Sequence, residues 1–146
     1  MIRLLDVNVL LALAWRHHVH HGVASRWFAA HHSEGWATCP FTQASFVRLS
    51  CLGVAVKVSV SIAEAMAALE SMVRFPDHHH WPVSEPLASI LPEIRGRLVG
   101  HGQVTDAILL DLAIRNGGAL ATFDRGVLGL LAPGSRHRSQ IEILPI

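Results

Sequence analysis

The feature that most constrains this chain is an alternation: short runs that are apolar at nearly every residue are each followed by a longer stretch with apolar residues at helical spacing. A run of that kind buries both of its faces, which marks a strand inside a parallel sheet, and parallel neighbours need a crossover that is usually a helix. Residues 2–5 form the first run and end at Asp6, and residues 9–15 then continue apolar on every side, like a buried helix. A second helix is expected over 19–32, with Val23, Ala24, Trp27 and Phe28 at helical spacing, and a second strand over 35–39, stopped by Pro40. Thr42 is placed to cap a helix in which Gln43, Phe46, Val47 and Ser50 share one face and which Gly53 ends.

The same alternation continues to the end of the chain. Ser61 can cap a helix through Val73, whose Ile62, Ala65, Met66, Leu69, Met72 and Val73 recur at three-and-four spacing, with Pro76 closing it. Residues 78–81 read as a short strand, and residues 87–97 as a helix interrupted at Pro92. Thr105 is placed to cap a helix running to Asn116, Gly117 and Gly118, residues 119–123 form a strand ending at Asp124, a short helix spans 126–131, and residues 141–144 form the last strand. No repeat or linker interrupts the pattern, so the expectation is one α/β domain over residues 1–146, a mostly parallel sheet covered on both faces.

Composition narrows the setting. The net charge is +1, so the chain has no polybasic tail, and only 16% of its residues are charged where about 25% is usual. So little charge leaves surface for another chain to cover. Cys39 and Cys51 have no metal-binding spacing and cannot build a disulfide framework, which suits a reducing compartment. The apolar stretch 9–15 lacks the length and flanks of a signal sequence or membrane span, so a soluble, cytoplasmic protein is expected.

In open parallel sheets ligands collect beyond the carboxyl ends of the strands, and two of the expected strands end there in an aspartate, Asp6 and Asp124. Asp106 lies in the first turn of a helix whose Ile108, Leu109, Leu112 and Ala113 need burial. Alone, Asp106 would complement a helix dipole and the other two would cap loops. Gathered without cations, the three would repel and raise one another's pKa, so the set is most readily maintained around a divalent metal. Ligation by oxygen alone suits Mg²⁺ or Mn²⁺, whose natural use is phosphate-ester chemistry: the ion lowers the pKa of its water and neutralises charge on phosphate oxygens. Asp111 differs, being placed to pair with Arg115 at i,i+4 and pointing about 140° away from Asp106 around the helix, as a residue of the solvated face.

Three segments together resemble a known family. They are Leu5-Asp6-Val7-Asn8-Val9-Leu10-Leu11-Ala12-Leu13; Trp36-Ala37-Thr38-Cys39-Pro40 followed by Thr42-Gln43-Ala44-Ser45-Phe46-Val47-Arg48; and Val104-Thr105-Asp106-Ala107-Ile108-Leu109 with Leu120-Ala121-Thr122-Phe123-Asp124-Arg125-Gly126. Their order and spacing resemble a PIN-domain ribonuclease of the VapC toxin type, over essentially the whole chain. The resemblance implies a PIN-like α/β/α sandwich and a metal-dependent endoribonuclease, the toxin of a toxin–antitoxin pair held inactive by a small antitoxin whose tail covers the acidic pocket. It maps the family's metal site onto Asp6, Asp106 and Asp124, with Asn8 and Thr122 at polar positions that order it. One position departs: an acid commonly follows the threonine of the middle segment, and here Gln43 stands in its place.

The chain has 11 histidines, in runs that include His17, His18, His20 and His21 and then His78, His79 and His80. His17 and His21 have helical metal-chelating spacing, but no glutamate lies between them as in a metalloprotease, so solvated surface is expected. Full protonation would carry the net charge from +1 towards about +12 and strengthen nucleic-acid binding in acid. Eleven of the 12 basic residues are arginines, among them Arg125 beside Asp124 and the pair Arg136 and Arg138, and guanidinium groups suit phosphates. An aspartyl-phosphate enzyme would want an acid at position 8 and a late lysine, whereas this chain has Asn8 and only Lys57. The competing reading is a PIN-fold protein that binds RNA or a partner with little or no cleavage, because Gln43 carries no charge.

Overall fold

The computed structural model describes residues 1–53 and 57–146. Its centre is a five-stranded sheet in which every pairing is parallel, in the order β3-β2-β1-β4-β5. The strands are β1 (Arg3–Leu5), β2 (Trp36–Thr38), β3 (His78–His80), β4 (Ala119–Thr122) and β5 (Ile141–Ile143). Between them run α1 (Val7–Ala14), α2 (His21–His31), α3 (Pro40–Leu52), α4 (Ile62–Val73), α5 (Pro92–Arg95) and α6 (Val104–Arg115).

Side chains alternate across a strand, and this alternation builds two cores. Leu4, Ala37 and Leu120 turn to one face, where they meet Leu109, Leu110 and Ala113 of α6 and Ile94 of α5. Leu5, Trp36 and Ala121 turn to the other, against Val9 and Leu10 of α1, Trp27 of α2, Phe46 of α3 and Leu69 of α4. The result is the expected α/β/α sandwich, and it explains why the strands and α1 read as apolar throughout.

Several local expectations are corrected. Thr42 is not the N-cap of α3: Pro40 opens the helix, as its fixed φ allows, and Thr42 lies in the first turn with its hydroxyl accepting from the Cys39 N–H at 3.0 Å. Thr105 is likewise inside α6, which a 3₁₀ turn over His101–Gln103 starts early. Segment 87–97 splits into a 3₁₀ turn, Leu87–Ser89, and α5, which begins at Pro92. The short helix expected over 126–131 is a 3₁₀ helix, Arg125–Leu130. Ser61 does cap α4, accepting from the Glu64 N–H, yet Ile62 and Met66 lie 61% and 42% exposed, so the buried stripe of α4 is narrower than its apolar pattern. Gly53 and Gly117 end α3 and α6 with φ of +69° and +66°.

Asp111 is not on a solvated face. It is buried, pairing with Arg115 at 2.7 Å as expected but also accepting from the Leu91 N–H at 2.9 Å, because the loop before α5 folds over α6. The histidine runs are only partly solvated. His17 is exposed, but His18, His20 and His21 are half-buried, and the His21 Nδ1 lies 2.7 Å from the carbonyl of Ala12 at the end of α1. No helix of the described residues is long and apolar enough to cross a membrane.

Candidate active site

From β1 the chain moves to β2 and β3 on one side, and β4 and β5 lie on the other, so the direction of winding reverses between β1 and β4. At such a switch point the loops beyond the strand ends part and leave a crevice. Asp6 follows β1 and Asp124 follows β4, so sheet order alone brings the two flanks of this crevice together.

Asp6 sits at the N-cap of α1 and is 5% exposed. Its Oδ1 accepts from the Val7 N–H at 2.6 Å, and its Oδ2 accepts from the Thr122 hydroxyl at 2.6 Å and the Asn8 amide at 2.9 Å. The Thr122 oxygen in turn accepts from Asn8 at 3.0 Å and from the Asp124 N–H at 3.0 Å, so its one proton and two lone pairs are all used. Asn8 Oδ1 accepts from the Phe123 N–H at 3.2 Å. Asn8 and Thr122 thus bind the end of β4 to the end of β1 and hold the Asp6 carboxylate.

Asp124 is exposed and caps the 3₁₀ turn that follows β4, its Oδ1 accepting from the Gly126 N–H at 2.7 Å. A Cβ on Gly126 would stand 2.9 Å from that oxygen, so glycine leaves the carboxylate its place. Asp106, in the first turn of α6, is half-buried and has no hydrogen bond among the described residues.

Electrostatics tie the three together. Asp106 is pushed up to about 6, first by burial and then by the charges of Asp6 and Asp124. Burial also raises Asp6, helped by the charge of Asp124, against the opposing pull of Thr122, the Val7 N–H and Asn8. The carboxylates therefore feel one another, although among the described residues no three His, Cys, Asp or Glu side chains are drawn close enough to form a finished metal cage. The donors are hard oxygens without a compensating cation, and that chemistry fits Mg²⁺ or Mn²⁺.

Gln43, at the start of α3, does not reach the Asp6 network by hydrogen bonding; its Nε2 donates to the Thr38 hydroxyl at 2.9 Å. Arg125 is exposed at the rim and makes no hydrogen bond or ion pair among the described residues. Arg138, grouped by sequence with phosphate-binding arginines, instead holds the carbonyls of Leu128 and Leu131 at 2.6 and 3.1 Å.

Sequence reasoning passed over three residues near these groups. Thr38 ends β2 as Thr122 ends β4, a parallel that strand ends in the sequence display. His20 packs at a tilt against Phe123, ring centroids 4.9 Å apart, next to Asp124. Gly126 follows Asp124 by two residues, the spacing of a carboxylate capping a turn.

The PIN domain family model matches residues 3–129. Ribonuclease VapC39 of Mycobacterium tuberculosis is 43% identical over 134 residues, covering 92% of this chain and 96% of that protein. Ribonuclease VapC38 of the same organism is 41% identical, covering 98% of each. A crystal structure of VapBC2 from Rickettsia felis, bound to a DNA fragment from its promoter, superposes with a TM-score of 0.65 at 13% identity, covering 99% of this chain and 100% of that one, which speaks to the fold. Match, coverage and sheet agree, and the chain belongs to the PIN-domain family, among its VapC-type members.

Proposed function

We propose that this protein is a divalent-metal-dependent endoribonuclease that hydrolyses phosphodiester bonds in RNA, the toxin half of a toxin–antitoxin pair. The observation that carries this reading is the placement of Asp6, Asp106 and Asp124 at the switch point, where burial first, and then the charges of Asp6 and Asp124, push Asp106 to about 6. Asp6 and Asp124 each cap a turn, yet among the described residues no Lys, Arg or His pairs with any of the three carboxylates, and a cation would remove their repulsion. Asp6, Asp106 and Asp124 would hold Mg²⁺ or Mn²⁺, and a three-donor cage is unnecessary because Mg²⁺ usually takes one or two protein carboxylates and keeps several waters. When bound, the ion supplies water acidified for attack on phosphorus and positive charge facing the phosphate oxygens.

The chain's own residues do the rest. Asn8 and Thr122 keep Asp6 in one orientation, Gly126 keeps space for Asp124, and Gln43 offers a polar group at the neighbouring strand end. Arg125, exposed and unpaired among the described residues, can take an adjacent phosphate. A pocket at a sheet edge cannot enter the deep groove of A-form RNA, so single-stranded or looped RNA is the fitting substrate.

The names of the relatives support the ribonuclease assignment, and the fold neighbour, a VapBC complex, supports an antitoxin partner. Exposed Val19, Leu87 and Val99 leave apolar surface for such a partner or for a homodimer. Two free cysteines suit the reducing cytoplasm.

The second reading, an RNA- or partner-binding protein with weak or no cleavage, draws on the neutral Gln43 amide. One experiment separates them: partner-free protein is incubated with a pool of structured RNAs with Mg²⁺, with Mn²⁺ and with chelator. Cleavage that needs metal and is abolished in each of D6N, D106N and D124N, all still folded, supports the nuclease. RNA retained intact under every metal condition supports the binding protein.

A further inference from the structure

Gln43 stands where the family resemblance implies an acid, and its amide is held by a hydrogen bond. Its Nε2 donates to the Thr38 hydroxyl at 2.9 Å, and that oxygen lies 2.8 Å from Nε2 of His78 on the neighbouring strand β3. Thr38 is 1% exposed, and these are the two partners of its side chain among the described residues. A buried hydroxyl must place its proton. The amide nitrogen of Gln43 has no lone pair to receive it, so Thr38 donates to His78, and the His78 Nε2 must be bare.

With the Gln43 amide so turned, the relay requires the neutral His78 tautomer with its proton on Nδ1. Burial, with His79 and His80 alongside, lowers its affinity for a second proton, and the Trp36 ring, 4.6 Å away by centroids, holds the imidazole in position. Donors thus run one way, from Gln43 through Thr38 to His78. At the head of this chain the Gln43 carbonyl oxygen has no partner among the described residues, and it is not a buried atom.

We infer that Thr38 and His78 are positioning residues for the acidic site: they turn the Gln43 amino group inward and leave its carbonyl oxygen presented at the carboxyl ends of β2 and β1, where Asp6 emerges. This rests on reading the site as a cation-dependent nuclease centre. An amide can offer a cation, or the water around it, either an attractive oxygen or two repelling N–H groups. A freely turning amide would offer both, and the relay removes the wrong one. The chain thereby keeps an oxygen donor at the position where the carboxylate charge is missing.

The test uses T38V, nearly isosteric but without the hydroxyl, T38S, which restores it, and H78F, which keeps a ring against Trp36 but has no acceptor. Nitrogen NMR of the metal-free protein should show the Nδ1–H tautomer at His78 and Gln43 side-chain amide protons that exchange slowly. That protection should be lost in T38V and kept in T38S. Calorimetric titration with Mg²⁺ should then show roughly tenfold weaker binding in T38V and H78F but parental binding in T38S. With saturating Mg²⁺, kcat should change far less than the metal requirement, as befits groups acting through Gln43. An Nε2–H tautomer at His78, or parental Mg²⁺ affinity in T38V, would overturn the inference. A parent that binds no Mg²⁺ would sink the nuclease reading, and the tautomer and amide exchange would still decide whether the relay exists.

Discussion

The hydroxyl of Thr122 donates to Oδ2 of Asp6 across 2.6 Å, joining residues 116 positions apart at the ends of two adjacent parallel strands. Because that hydroxyl also accepts from Asn8 and from the Asp124 backbone, it fixes one carboxylate and the turn that carries a second.

Removing it should therefore cost both stability and activity. T122V strands the Asp124 N–H and one N–H of the Asn8 amide and leaves Oδ2 of Asp6 with Asn8 alone, so a loss of about 1–3 kcal/mol is expected, with cleavage reduced at least tenfold. T122S keeps the hydroxyl and should recover most of both. Thermal unfolding and RNA cleavage measured on the two variants check this, and a parental T122V beside a damaged T122S would show that packing of the methyl group, not the hydrogen bonds, matters.

The contribution of Asp106 to the stability of the metal-free protein should fall as pH rises through the acid range. Asp106 releases its proton near 3.8 when unfolded and near 6 when folded. Between those values the folded chain holds more protons, and by linkage the slope of stability against pH is negative there. Burial moves Asp6 in the same direction. D106N should accordingly be more stable than the parent above pH 6, by a few degrees in Tm, with the difference closing below pH 4. Saturating Mg²⁺ should stabilise the parent and shrink the gap. A D106N protein less stable than the parent at pH 7 would mean that the carboxylate is not under strain.

Gly126 should matter for the reaction and little for the fold. A methyl group there would press on the carboxylate of Asp124, the movable end of a side chain, rather than on backbone. G126A should keep Tm within about 2 °C of the parent while lowering kcat about tenfold or more, since small misplacements of a reacting group are costly. Unchanged kcat would show that Asp124 tolerates displacement.

Charge restored at position 43 should tighten the site. Q43E adds a hard anionic oxygen, so the metal concentration giving half-maximal activity should drop. A carboxylate cannot donate to Thr38, however, and would accept its proton instead, which forces His78 to donate through Nε2. The same variant should thus shift the His78 tautomer, visible by NMR without metal. An unchanged metal titration would place position 43 outside the reach of the ion.

Much of this was legible in the chain itself because the signals are local. Apolar runs of three or four residues mark β1, β2 and β4, and an aspartate directly after β1 and near the end of β4 places two carboxylates at strand ends whatever the sheet order. The Ser61 cap and the glycine stops at Gly53 and Gly117 depend on a turn or less of backbone, so they too could be read directly. Sequence also carried the family, since the segments around Asp6, Asp106 and Asp124 resemble it in order and spacing.

What only the tertiary structure decided are relations between segments far apart in sequence. That β1 lies between β2 and β4, and so makes Asp6 a neighbour of Thr122, follows from how the crossovers cover both faces of the sheet, which no window of the chain contains. Asp111 has the spacing of a surface ion pair, and it is buried because the backbone at Leu91 closes over it. The histidine runs have the composition of solvated surface, yet β3 joins the sheet beside β2 and sets His78 against Trp36 and Thr38, 40 residues away for the latter. Periodicity and capping chemistry act over a few residues, whereas burial and hydrogen-bond partners depend on which surfaces meet, and only the packed sheet determines that.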